Sequence, residues 1–365
     1  MSMTDFPLGD ALAVQRWSKS LALEAAKKAY FSKFIGTGPE SLIVLKNELQ
    51  KGAGEKITVG LRMKLANYGI EGDNVIEGDS TGEEALSFFN DAVFIDQLRK
   101  STKSKGKMSE QRVPYNMRKE GRDALATWWA EILDELLFVY LSGARGVDTS
   151  YKLASGFGAD LASSFANNAV TAPNSANLMY AGDATSSADL DASDVINLGD
   201  VERLVAYAET TDPMIQGINI SGEKKFVLLM HTFQAFQLRT STTTNDWLDI
   251  RKATDRGNGA MMYKNALGEY ADVVLHKHRN VVRFDDYGSG SNLPAARALF
   301  MGAQAGLMAY GQGGNPQRYS WNEDKDDRGN ALAITAGAIF GIKKARFNSK
   351  DFGVIALDSY CPNPL

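Results

Sequence analysis

Apolar residues recur at steps of three and four in two long stretches of the chain, and at steps of two in several shorter ones. The strongest helical pattern is "PYNMRKEGRDALATWWAEILDELLFVYLSG", where Leu125, Trp128, Trp129, Ile132, Leu133, Leu136 and Tyr140 fall on one stripe. Asp123, Thr127, Glu131 and Asp134 fall opposite. Pro114 suits the start and Gly143 the end, so one helix of roughly 40 Å is predicted, at ~1.5 Å per residue. Its core side is expected to be Leu125, Trp128, Trp129, Ile132 and Leu136, with Glu131, Asp134 and Glu135 solvated rather than catalytic. The second stretch, "ALAVQRWSKSLALEAAKKAYFSKFIGTG", repeats Leu12, Trp17, Leu21, Ala25 and Ala29 at mostly four-residue steps and is stopped by Gly36 and Gly38. It predicts an amphipathic N-terminal arm.

In "KITVGLRMKL" the apolar residues Ile57, Val59, Leu61, Met63 and Leu65 alternate with Thr58, Gly60, Arg62 and Lys64, the pattern of a half-buried strand. Its expected partner is "LSFFNDAVFIDQL", Leu86 to Leu98. The connection "ANYGIEGDNVIEGDSTGEEA" has glycines at 69, 72, 78 and 82 and six carboxylates, predicting a flexible acidic tip. A two-stranded ribbon is marginal in water by itself, so one with an apolar face needs something to pack on, such as another subunit. Immediately after it, "RKSTKSKGKM" holds Arg99, Lys100, Lys103, Lys105 and Lys107. These cations could be a solvated surface, a strip for nucleic-acid phosphates, or the counterpart of a neighbour's Glu71, Asp73, Glu77 and Asp79. Their closeness in the chain to the acidic tip favours pairing between subunits.

Beyond the long helix, Ser150 to Val195 is rich in Ala, Ser, Asn, Asp and Gly with weak periodicity, predicting an irregular surface insertion. Asp200 is expected to cap a helix at "VERLVAYAE", followed by a buried strand at "KKFVLLM", a helix near "NDWLDIRKA" and a strand through "YADVVLHKHRNVVRF". A Gly- and Ala-rich segment, "AARALFMGAQAGLMAYGQGGNP", precedes two strands, Ala333 to Ile342 and Phe352 to Leu357, joined by a basic, Asn-containing turn.

The chain has 365 residues, 44% of them hydrophobic, enough for one large or two modest domains. The single cysteine, Cys361, rules out a disulfide framework within one chain and fits a reducing compartment. Asp5, Asp10 and Glu24 interrupt the first thirty residues, and no uncharged run approaches the ~18 residues of a membrane span, so neither an export signal nor a membrane role is expected. A net charge of -4 argues against a dedicated nucleic-acid binder. Chemistry-bearing motifs are sparse. There is no phosphate loop ending in Gly-Lys-Ser/Thr and no His-Glu-x-x-His; "GQGGNP" lacks dinucleotide-fingerprint spacing, "GSGSN" is no nucleophile elbow, and "WNEDKDDRGN" lacks calcium-loop spacing. Two of the three histidines fall in "DVVLHKHRNVV", where strand geometry would place Asp272, His276 and His278 on one face. Imidazole and carboxylate suit zinc or ferrous iron, which allows a soluble metal-dependent enzyme. The simpler expectation is a partly exposed strand face with no ligand and no cofactor.

Three ordered blocks carry a resemblance: "FIGTGPESLIVLKNELQKGAGEKITVGLRMKL", "GDSTGEEALSFFNDAVFIDQLRKSTKSKGKMSEQRVPYNMRKEGRDALATWWAEILDELLFVYLSG" and "GNALAITAGAIFGIKKARFNSKDFGVIALDSY". With weaker similarity between them they span most of Phe34 to Tyr360, and the set resembles the major capsid proteins of tailed phages of the N-four podophage type. The resemblance implies an α+β, Hong Kong 97-like capsid fold. Its implied parts are an N-terminal helical arm (1–55), an extended β-hairpin loop (56–105), a peripheral domain with a spine helix (106–149), the insertion (150–199), an axial domain (200–330) and return strands of the peripheral domain (331–365). It implies a structural virion protein without catalysis or cofactor. Such a protein self-assembles as pentamers and hexamers, in the bacterial host cytoplasm, into an icosahedral head around double-stranded DNA. Portal and scaffolding or decoration proteins are implied partners. A bacterial nanocompartment shell of the same fold is the alternative.

Overall fold

A computed structural model describes residues 11–50, 53–79, 81–112, 114–153, 164–220, 222–240, 266–312 and 318–364. The helix expected near "NDWLDIRKA" lies outside these residues. The long helix forms at Met117–Ser142. The Asn116 side chain caps it by accepting from the Arg118 and Lys119 amides, and Gly143 closes it with a left-handed φ of 69°. Pro114 therefore precedes the first turn instead of occupying it. From Ile132 to Ser142 every residue is buried. This is the half of the spine helix enclosed by other elements, and a helix covered all round has no solvated face.

Those elements are two sheets and the arm. A six-stranded sheet runs Ile35–Gly36, Ile43–Lys46, Gly306–Tyr310, then the long strand Ala331–Lys344. That long strand also pairs antiparallel with Ser320–Asp326 and with Asp96–Lys103. An eight-stranded sheet runs Ala266–Tyr270, Val273–His278, Glu223–His231, Leu293–Met301, Val354–Tyr360 and Leu178–Tyr180, with Arg283–Tyr287 and Ile218–Ile220 paired off this path. Its central strand reads "FVLLM" because both faces are covered. Val227 and Leu229 pack with the spine helix, while Phe226, Leu228 and Met230 pack with the helix Leu198–Thr210 and its neighbour Thr232–Thr240.

Several expected boundaries shift. Asp96–Lys103 belongs to the six-stranded sheet, so the extended hairpin is shorter than 56–105; its strands are Lys56–Arg62 and Phe88–Phe94. Gly306–Tyr310 and Ser320–Asp326, assigned by sequence to the stretch 200–330, also join the six-stranded sheet. Conversely Val354–Tyr360 leaves the return unit and sits between two strands of the other sheet, where its apolar residues can be covered on both sides. The described parts of the stretch 150–199, residues 150–153 and 164–199, hold only short elements but are not a surface element. Phe165, Ala181, Leu190 and Ile196 are buried, and Leu178–Tyr180 is a strand of the eight-stranded sheet. Asp200 is not the N-cap of its helix; Asn197 is, with Asp200 as the reciprocal partner of a capping box.

Candidate intersubunit interface

The hairpin is supported at its root and bare beyond it. Ile57 and Val93 are buried against Val44, Leu307 and Ala309 of the six-stranded sheet. Between Arg62 and Phe88 the described residues form no helix or strand, and Leu65, Tyr68, Val75, Ile76, Leu86 and Phe88 are more than half exposed. The tip organises itself locally: Glu84 accepts from the Ala66 and Asn67 amides, Asp79 from Thr81 and Gly82, and Asn74 donates to the Glu71 carbonyl. Glu71, Asp73, Glu77 and Asp79 are exposed, and among the described residues none of the four forms an ion pair within the chain.

The basic stretch lies elsewhere, on the outer strand of the six-stranded sheet and the turn after it. Arg99, Lys100, Lys103, Lys105 and Lys107 are all exposed. Lys103 is paired within the chain to Asp326, and the Lys100 ammonium stands 5.6 Å from the Trp128 ring centroid. On the spine helix, Leu125, Trp129, Ile132 and Leu136 are buried, with Trp129 edge-on to Tyr319 and Phe340. Trp128 is only partly buried.

Two acids expected in solvent prove to be buried backbone acceptors. Asp134 accepts from the amides of Tyr30 (2.7 Å) and Phe31 (3.0 Å), fastening the end of the arm to the spine. Glu135 accepts from Lys152 and Leu153, fastening the segment that leaves the spine. Burial raises the Asp134 carboxyl to about 7 and outweighs the two amide bonds that pull it down. Each acid satisfies main chain that would otherwise be orphaned at a junction.

The candidate metal ligands do not converge. His276 and His278 share one face of the strand Val273–His278, but Asp272 occupies the two-residue turn before it, with Ala271 and Asp272 at φ 46° and 63°. His276 is fully buried, not partly exposed. Both rings sit in an aromatic nest: Tyr30 and Phe34 are edge-on to His276, while Phe138 stacks on His278 at 5.0 Å. The Lys33 ammonium lies 3.4 Å from His276 Nδ1, and the Asn280 amide donates to His278 Nδ1. Burial first, and then Lys33, lowers His276 to about 3; burial, Arg279 and Lys33 lower His278 to about 4. Among the described residues no three His, Cys, Asp or Glu side chains gather into a metal-binding group.

Sequence inspection missed a second buried centre. Arg297 grips Asp358 through two nitrogens (2.7 and 2.6 Å), donates to the Ser142 carbonyl at the end of the spine helix, and meets Tyr287, which also donates to Asp358. An arginine inside the apolar run "AARALFM" was its only signal.

A two-sheet body around a spine helix, with a projecting hairpin, can now be set beside known proteins. A family model described as phage capsid protein matches residues 5–363. The chain belongs to the phage capsid protein family. The major capsid protein of Pseudomonas phage KPP25 is 29% identical over 93% of each chain. The capsid of Ralstonia phage GP4 superposes with a TM-score of 0.84 at 40% identity over 100% of both chains. The Cyanophage Pam1 capsid, at 21% identity over 92% of this chain and 93% of that one, shares the fold with a TM-score of 0.71. The architecture is the α+β, Hong Kong 97-like capsid fold, and the chain is a phage major capsid protein. In this capsid protein the buried histidines and the Arg297–Asp358 centre are parts of the packed body.

Proposed function

We propose that this capsid protein assembles as pentamers and hexamers into an icosahedral head around packaged double-stranded DNA, and that its hairpin lies on a neighbouring subunit. The spine helix and six-stranded sheet form the peripheral domain of that subunit, and the eight-stranded sheet forms the axial domain. Assembly takes place in the bacterial host cytoplasm, with portal and scaffolding or decoration proteins as further partners. The observation that carries the proposal is the bare outer half of the hairpin: its apolar side chains gain a covering only from another chain. Opposite charges on the tip and on Arg99, Lys100, Lys103, Lys105 and Lys107 set the register of that contact.

The test is assembly of the purified chain, followed by sedimentation velocity and electron microscopy. Reversing Lys103, Lys105 and Lys107 to Glu should weaken shells, and adding Glu71→Lys, Asp73→Lys and Glu77→Lys should restore part of the yield. Lys103 already has Asp326 as a partner, so Lys105 and Lys107 carry the cleaner half of the experiment. Full assembly by the triple reversal, or no recovery in the sextuple variant, would remove the charge pairing.

A further inference from the structure

A short segment of the irregular stretch touches the root of the hairpin. Ser164–Phe165 and Asn168–Ala169 form a minimal ribbon closed by Ala166 and Asn167, both at left-handed φ (56° and 57°). The spine helix holds this ribbon through one side chain: the buried Tyr140 hydroxyl accepts from the Phe165 amide (2.7 Å) and lies 2.7 Å from the Asn168 carbonyl. Phe165 is fixed again by Phe340, ring to ring at 4.6 Å.

From that anchor the Asn168 carboxamide reaches the root of the hairpin. Its oxygen accepts from the Phe94 amide (2.9 Å) and its nitrogen donates to the Phe94 carbonyl (2.8 Å). Those are the two bonds that a facing residue in an antiparallel strand would make, supplied here by one side chain. Phe94 ends the returning strand Phe88–Phe94, two residues before the chain enters the six-stranded sheet at Asp96. On its other side the Phe94 carbonyl lies against Gly341, where a Cβ would come within 1.9 Å of the oxygen. Asp91 is held nearby by the Lys343 ammonium and the Arg346 amide. The supported root of the hairpin therefore ends in a peptide locked between the ribbon held by the spine helix and the long strand.

We infer that Asn168 is a positioning residue: through Phe94 it fixes the angle of the hairpin to the spine helix before any neighbour is met. Its role in shell formation rests on the proposed assembly; its role within the free subunit does not. The test compares Asn168→Ala and Asn168→Asp with Phe226→Leu, which loosens the distant axial core by a similar drop in melting temperature. In unassembled subunits, hydrogen exchange of peptides covering 56–95 should quicken about tenfold in both Asn168 variants, as for a segment losing two buried hydrogen bonds, and stay unchanged in Phe226→Leu. Asn168→Asp keeps the acceptor but loses the donor, so the Phe94 amide should remain better protected in it than in Asn168→Ala. Micrographs of assembly products should show particles of mixed size from both Asn168 variants and uniform ones from Phe226→Leu. Unchanged exchange over 56–95 in Asn168→Ala, or equal acceleration in Phe226→Leu, would overturn the assignment. That reading holds even if the wild-type chain forms no shells, because exchange is measured on the free subunit.

Discussion

The C-terminal half of the spine helix and the outer half of the hairpin are both rich in apolar side chains, yet one is wholly covered and the other is bare. The difference lies in where each finds its partner. The helix is enclosed by elements of its own chain, so its residues contribute to folding. The hairpin carries Leu65, Tyr68, Val75, Ile76, Leu86 and Phe88 more than half exposed, so most of their burial can contribute only when a second chain arrives. Apolar content alone does not separate a folding element from an assembly element; the completeness of its surroundings does.

That contrast can be broken most forcefully at Trp129. Its indole is fully buried between Tyr319 and Phe340, and Trp129→Ala should cost ~3 to 5 kcal/mol, read as a shift in the urea midpoint at unchanged slope. An exposed-surface response, within about 0.5 kcal/mol, would refute the enclosed helix. A smaller loss is expected for Asp134→Ala, which strips the Tyr30 and Phe31 amides of their acceptor. About 1 to 3 kcal/mol should go, and limited proteolysis should then cut the arm before the body.

Acid probes the same junction. His231, His276 and His278 titrate at about 4, about 3 and about 4 when folded, below the ~6.5 of an unfolded chain, chiefly because burial disfavours the imidazolium. Their contribution is complete above pH ~6.5 and is lost as the pH falls from there toward the folded values. Asp134, raised to about 7, runs the other way: its ionisation weakens the fold as pH rises through 7, and that penalty fades in acid. Burial also raises Glu135, Asp194 and Asp200, which act in the same sense as Asp134, so the histidine part of the acid limb is the part that mutation isolates. Replacing His276 and His278 by Gln should flatten the acid limb by up to about 1.4 kcal/mol per pH unit for each histidine, measured by denaturation at stepped pH. An unaltered limb would mean that these rings are hydrated in the folded chain. The smallest effect on the subunit belongs to the hairpin: deleting Gly69 to Gly82 should change stability by no more than about 0.5 kcal/mol while abolishing shells in sedimentation. A large loss of stability would show that the tip is part of the body after all.

Elements with a local period were legible in advance. The spine helix, the arm helix Ala11–Lys28 and the strand Lys56–Arg62 announce themselves through spacings that depend on neighbouring residues alone, although the arm helix ends at Lys28 and not at Gly36, and the weakly alternating stretch 86–98 divides into Phe88–Phe94 and Asp96–Lys103. Sheet membership did not, because Val354–Tyr360 and Gly306–Tyr310 look alike as short apolar runs, and which sheet accepts each is decided by partners far along the chain. The same holds for side chains with a single distant role. "FANNAV" signals a turn, but nothing in it points to Phe94; Asp134 looks like any acid on a helix until the arm folds back on it. His276 and His278 were correctly placed on one face, and Asp272 was misplaced because a two-residue turn interrupts the alternation that had put it there.

One core joins the arm, the spine helix and the facing sides of both sheets: Leu21 and Phe31, Leu136 and Phe138, Met308 and Ile342, Leu229 and Leu299 belong to a single buried cluster. Close-packed interiors resist compression and do not bend smoothly, so a body built this way behaves as a stiff tile. Tiles that cannot flex must take up the curvature of a closed surface at their seams. In this capsid protein the hairpin beyond its anchored root lies outside that shared core, so any difference in shape between one copy and another is expected past Arg62 rather than within the tile.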